Sequence, residues 1–192
     1  MNRRLKAALG SALTLTLAAG CTPTMNVEMM KQMRPPRPAE MEHLAALIGR
    51  WDTSAETKVI CLNLVLPVKG VSENSWDGDR WCMIERGEYE MGELGTVHEF
   101  GVWTWDSAAK KFRIWRFDSF GGTRIGSAKF DEKSNAWTLR AKRQSSWGSS
   151  SDRGMIKIVD DKTLEWTWEE WPAWDALHLF KMAVFSGTSK RK

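Results

Sequence analysis

The sequence predicts an all-β fold: an up-and-down antiparallel barrel of about ten strands, with a short N-terminal helix closing one end. Three observations predict it. Twelve tryptophans all lie between residues 51 and 174, and Trp favours pleated, half-buried surfaces. Asp77, Asp106, Asp131 and Asp160 each open a short polar stretch, and after the last three an aromatic returns six residues later, at Phe112, Trp137 and Trp166. Polar stretches of this kind between apolar runs are hairpin signals. The runs between them have the length of strands, and a meander of so many strands normally removes its exposed edges by closing on itself.

The chain opens with Arg3, Arg4 and Lys6, then an apolar stretch from Ala7 to Ala19, with no acidic residue. This is the layout of a secretory signal, and the stretch falls short of the ~20 residues a spanning helix needs. Leu17-Ala18-Ala19-Gly20-Cys21 resembles the lipobox of bacterial lipoproteins, with Ala18 where Leu is usual. The resemblance implies that residues 1–20 are removed and that Cys21 carries lipid, so the chain's first partner is a membrane. Thr22 stands where an Asp would favour retention at the inner membrane, which implies export to the periplasmic face of the outer membrane. Residues 21–38, with Pro23, Pro35, Pro36 and Pro38, read as a flexible lipid-anchored tether. The barrel domain is then 39–192.

Within that domain, residues 39–48 place apolar side chains at Met41, Leu44, Ala45 and Ile48, with Pro38 just before and Gly49 just after. These are helix start and stop signals around one amphipathic face. Strands follow at 51–58, 70–76, 80–89, 97–105, 112–118, 124–130, 137–143, 153–159, 164–171 and 177–187. If they alternate in direction, the four Asp turns and the helix share one end, the floor. The other connections meet at a mouth and are apolar for loops: Leu62, Leu64, Val65, Leu66 and Pro67, then Met91 and Leu94, Phe120, Trp147, and finally Trp171 and Trp174.

Composition narrows the function. Losing Arg3, Arg4 and Lys6 from a +4 chain leaves +1, and no clustered basic face points to nucleic acid. Cys61 and Cys82 fall at opposite ends of the meander, too far apart to pair. His43, His98 and His178 are the only histidines. No HExxH, paired CxxC, phosphate loop or nucleophile elbow is present. The reading is therefore non-catalytic, with no metal and no cofactor. A less favoured alternative gives His98 or His178, both near the mouth, a haem.

Gly49-Arg50-Trp51, opening the first strand after a short helix, resembles the Gly-x-Trp start of lipocalins and other calycins. That resemblance implies that a late cation, Lys190 or Arg191, packs on Trp51, so Trp51 and Arg191 are structural. Trp76-Asp77-Gly78-Asp79-Arg80-Trp81, Gly101-Val102-Trp103-Thr104-Trp105-Asp106 and Phe112-Arg113-Ile114-Trp115-Arg116-Phe117-Asp118-Ser119 resemble the bacterial family called domain of unknown function 1579. It implies a calycin-like barrel and supplies no activity.

Strand alternation then selects a site. Phe112, Ile114 and Arg116 share one face, as do Trp137, Leu139, Ala141 and Arg143, and Trp166, Trp168 and Glu170. Apolar members lie toward the floor and charged ones toward the mouth. Such a cup suits an apolar or amphiphilic small molecule, tail down, with an acidic head met by Arg116 or Arg143. Two alternatives stand beside it. The indoles fill the interior and the arginines pair with Glu170, or the barrel is a structural or protein-interaction module of the envelope, with unidentified protein partners and an apolar patch on its outside.

Overall fold

Ten strands pair in sequence order and the last returns to the first. In the computed structural model these are β1 (Gly49–Val59), β2 (Leu64–Trp76), β3 (Cys82–Glu90), β4 (Thr96–Asp106), β5 (Lys111–Asp118), β6 (Thr123–Asp131), β7 (Ala136–Ser145), β8 (Gly148–Asp160), β9 (Thr163–Pro172) and β10 (Ala183–Arg191). Each is antiparallel to its neighbours, and β1 pairs with β10 from Trp51↔Arg191 to Val59↔Ala183. The described residues are 27–32, 35–146 and 148–192. The leader, Cys21 and Trp147 lie outside them. The unit Met1–Pro36 holds a six-residue helix, α1 (Val27–Gln32), in the stretch expected to be tether throughout. The barrel unit is Arg37–Lys192.

The Asp turns work as their chemistry demands. The carboxylates of Asp106, Asp131 and Asp160 each accept a backbone N–H two or three residues on, from Ala109, Lys133 and Lys162 respectively. Asp77 accepts the N–H of Cys82, the first residue of β3. All four turns therefore sit at the floor. Cys61, at the mouth, and Cys82, at the floor, are free thiols.

Four elements depart from the sequence reading. β2 begins at Leu64 and β8 at Gly148, six and five residues earlier than expected, so Leu64, Val65, Leu66 and Pro67 are strand rather than mouth loop. The floor helix is a 3-10 helix, Ala39–Leu47, and the buried residues are Met41, Leu44 and Leu47 rather than a stripe including Ala45 and Ile48. A three-residue turn brings positions three apart onto one face, which is the spacing of those three side chains. The final strand starts at Ala183, six residues later than expected. Asp175 accepts the N–H of Phe180 at 2.6 Å and His178 adopts a positive φ of 56°, so residues 173–182 form a compact loop instead of strand.

The floor is clamped through the end of the 3-10 helix. The Leu47 carbonyl accepts both the Trp51 indole N–H and the Asn74 side-chain amide at 2.9 Å, and the Ala46 carbonyl accepts Arg191 Nη2 at 2.8 Å. The Arg191 guanidinium lies 4.7 Å from the centre of the Trp51 ring, a cation over an indole face. Gly49 holds φ at +131°, with Arg191 Nε 3.5 Å from where a Cβ would be. The glycine of Gly-x-Trp is thus a backbone requirement at the point where the arginine lies down.

Candidate functional site

One half of the interior is solid. Phe112, Ile114, Ala128, Trp137 and Leu139, on β5, β6 and β7, face inward and are at most 3% exposed. Trp137 meets Trp103 edge-on at 5.8 Å and Phe112 edge-on at 4.9 Å, the favoured geometry for such rings. The other half is not filled. Between β1–β4 and β8–β10 lies a cavity of about 180 Å³, reaching from Leu47 and Trp51 at the floor to Val97 and Met91 toward the mouth, with Trp103, Trp166, Trp168 and Phe185 along its walls. An apolar cavity of ~150 Å³ accommodates a benzene ring.

A charged layer crosses the barrel on the mouth side. Arg116 donates through Nε and Nη2 to the two oxygens of Glu85, each at 3.0 Å, and Glu85 also accepts the Trp103 indole N–H. Arg124 donates to Asp152 at 2.9 Å and Glu170 at 2.6 Å, with Glu99 at 3.5 Å. Arg143 donates to Asp118 at 3.2 Å and lies 3.9 Å from Glu170. Trp168 has the guanidiniums of both Arg116 and Arg124 at 5.5 Å from its ring centre. Room for this layer comes from glycines on the inner face. A Cβ on Gly101 would stand 3.0 Å from Glu85, and one on Gly154 would overlap the Trp168 ring at 2.2 Å.

Five carboxylates, Glu85, Glu99, Asp118, Asp152 and Glu170, face three guanidiniums in this layer. Fully ionised, it would carry an excess of negative charge in a poorly solvated interior, which protons relieve. Burial pushes the Glu99 carboxyl up, against Arg124 and Arg116 and with help from Glu85 and Asp118. Burial and the adjacent Glu170 charge push Asp152 up. Burial would also raise Asp118, but the Gly122 N–H and Arg143 hold it below the usual carboxylate range. The Tyr89 phenol is pushed well above its ordinary value by burial, Glu99 and Glu85, and stays neutral.

Three polar atoms in the cavity lining have no partner: the Thr57 hydroxyl, the Asn74 side-chain carbonyl and the Trp168 indole N–H. Thr57 is 2% exposed. A buried polar group without a partner costs ~1–3 kcal/mol.

Of the residues selected from sequence, Arg116, Trp166 and Trp168 line the cavity. Phe112, Ile114, Trp137 and Leu139 face inward but belong to the packed half. Arg143 faces inward and is held by Asp118 and Glu170. Both arginines expected to meet an acidic head group have carboxylate partners, Glu85 for Arg116 and Asp118 with Glu170 for Arg143. The haem expected at His98 or His178 has no support in their placement. His98 points outward beside Glu88, while His178 stacks on Trp171 at 4.6 Å with its Nε2 3.2 Å from Ser151, and neither lines the cavity. The apolar mouth residues divide. Leu66 is buried within β2 and Met91 lines the cavity, whereas Leu62, Val65, Leu94 and Trp174 are exposed. Sequence reasoning missed Glu85, Glu99, Arg124, Thr57 and Asn74. Alternation would have reached Glu99 from Trp103 and Arg124 from Ala128, had it been applied to every strand. Among the described residues no group of three His, Cys, Asp or Glu is placed to hold a metal ion.

No protein-family model and no curated protein sequence matches the chain. Solved structures do, two of them as follows. Rv2717c from M. tuberculosis is 9% identical, with a TM-score of 0.62 over 81% of this chain and 98% of that one. The S-type phycobiliprotein lyase CPES from Guillardia theta is 11% identical, with a TM-score of 0.54 over 81% and 94%. The fold is a lipocalin-like barrel. At these identities the likeness is one of fold alone.

The charged layer of this lipocalin-like barrel makes its stability depend on pH. Glu99 and Asp152 bind protons more tightly in the folded chain than at their ordinary values of 4.5 and 3.8. Their contribution is therefore complete below those values and is lost as pH rises through the raised ones. Urea unfolding should show Glu99→Gln gaining stability relative to wild type as pH rises above the ordinary Glu99 value of 4.5. Arg124→Met, which strands Asp152 and Glu170, should cost ~3–5 kcal/mol at neutral pH. An Arg124→Met protein as stable as wild type would remove the charged layer's structural role.

Proposed function

We propose that this chain is an exported envelope lipoprotein whose barrel binds a compact, mostly apolar molecule carrying a neutral or cationic polar group, without catalysing a reaction on it. The observation that carries the reading is the unfilled half of the barrel, with its aromatic walls and the stranded Thr57, Asn74 and Trp168 atoms. A mostly apolar concavity with a few convergent polar groups is the usual form of a small-molecule site. The polarity of the ligand follows from the charged layer. Each guanidinium in the layer already has a carboxylate partner, so an acid would find no free cation there, while an alcohol or amine supplies donors to Thr57 and Asn74. The likeness of fold to the phycobiliprotein lyase and the resemblance to domain of unknown function 1579 agree with a barrel of this kind. The rival reading, a protein-interaction module, rests on the exposed Phe100–Phe117 stack outside the barrel, which is less specific than the cavity.

Hexanol, hexylamine and hexanoate differ in the group at one end of the same short chain. Titrated into the purified barrel, the first two should change Trp emission saturably, with hexanoate at least ~10-fold weaker. Val68→Phe, which fills the cavity, should abolish all three responses while unfolding stays cooperative. No saturable response to any of them would leave the interaction module as the better reading.

The anchor has its own test. Cells fed a labelled palmitate analogue should label the wild-type protein and not Cys21→Ser, and label persisting on the mutant would sink the lipoprotein assignment.

A further inference from the structure

The two ends of the barrel differ in chemistry. The floor turns carry Asp77, Asp106, Lys110, Asp131, Glu132, Lys133, Asp160, Asp161 and Lys162, whereas two neighbouring mouth segments present apolar side chains to solvent. In the loop between β9 and β10, Trp174 is 73% exposed, Leu177 79%, Leu179 70% and Phe180 60%. Beside it, Ile60 is 50% exposed, Leu62 70% and Val65 53%. The Ile60 N–H donates to the Met182 carbonyl at 2.8 Å, so the segments adjoin.

The polar groups of the longer loop are spent elsewhere. Asp175 is buried and accepts the Phe180 N–H, His178 lies on Trp171 and bonds Ser151, and Lys181 pairs with Glu169. Residues 59–68 contain no charge and are bracketed by Lys58 and Lys69. Carboxylates turned inward, apolar tips turned outward and lysines behind them form an amphipathic rim rather than a core left open.

We propose that this rim inserts into the surface of a lipid bilayer, so that the barrel lies mouth-down on the membrane independently of any lipid on Cys21. Trp, Phe and Leu projecting from loops match the headgroup boundary, where an indole has both apolar and polar neighbours. Just behind them stand Lys69 and Lys58, the latter beside Glu56, and a lysine near an anionic surface is worth about 1 kcal/mol. A protein partner of ordinary specificity would be expected to meet charged groups to pair with at the rim, and the exposed tips offer none.

The test uses the mature chain, residues 21–192, carrying Cys21→Ser so that no lipid is attached. It should co-sediment with vesicles of phosphatidylethanolamine and phosphatidylglycerol, with a blue shift in Trp emission, and less with phosphatidylcholine alone. Replacing Trp174, Leu177, Leu179 and Phe180 by Ser should weaken partitioning at least ~10-fold, as should Leu62→Ser with Val65→Ser to a smaller extent. Ile125→Ser, on the barrel wall, should leave it unchanged. Absence of vesicle binding by the unsubstituted chain, or rim variants that are folded and bind as well as it does, would overturn the proposal. So would a dimer in solution that the rim substitutions dissolve, which would make the rim a contact between two copies.

Discussion

Closure governs this molecule. Pairing β1 with β10 along nine residues leaves no free edge, and it also fixes how wide the interior must be. Once ten strands enclose a space, the side chains on the inner face either fill it or leave a cavity. Here they do both. Large aromatics fill the half lined by β5, β6 and β7, while Thr53, Thr57, Ser72 and Ser189 stand along the other half, and residues of that size cannot reach across.

The charged layer follows from the same enclosure. Guanidiniums inside a closed barrel must find carboxylates, and every arginine in the layer has at least one. The surplus of carboxylates is then accommodated by protons rather than by further cations. Such a layer also fixes side chains that would otherwise move: the Trp168 ring has two guanidiniums 5.5 Å from its centre and packs against Gly154. A rigid wall with stranded polar atoms is a better binding surface than a flexible one, because less order is lost on binding.

Much of the fold was legible because each turn announces itself. Asp at the head of a polar stretch is a local chemical device, visible without any tertiary context, and four of them in alternation dictate a floor. Trp51 and its late cation, Lys190 or Arg191, were legible through the resemblance to the Gly-x-Trp start of calycins. The last strand was not, because the signal that delays it is one buried carboxylate, Asp175, satisfied by a backbone N–H five residues on. Nor was the 3-10 helix, since Leu47 is recognised as buried only when the turn has three residues. Within the site, alternation identified which residues face inward but not which of them touch each other. Whether Trp137 lines a cavity or fills it depends on Trp103 and Phe112, three and two strands away.

The central claim is that one half of the barrel receives a ligand and the other is packed shut. The indole N–H signals of Trp168 and Trp137 report on the two halves directly, since both nitrogens lack a partner in the protein. In nuclear magnetic resonance spectra of the barrel titrated with hexanol, the Trp168 N–H should shift saturably while that of Trp137 holds its position. Equal shifts at both, or movement confined to indoles outside the cavity such as Trp174, would contradict a binding site in the unfilled half.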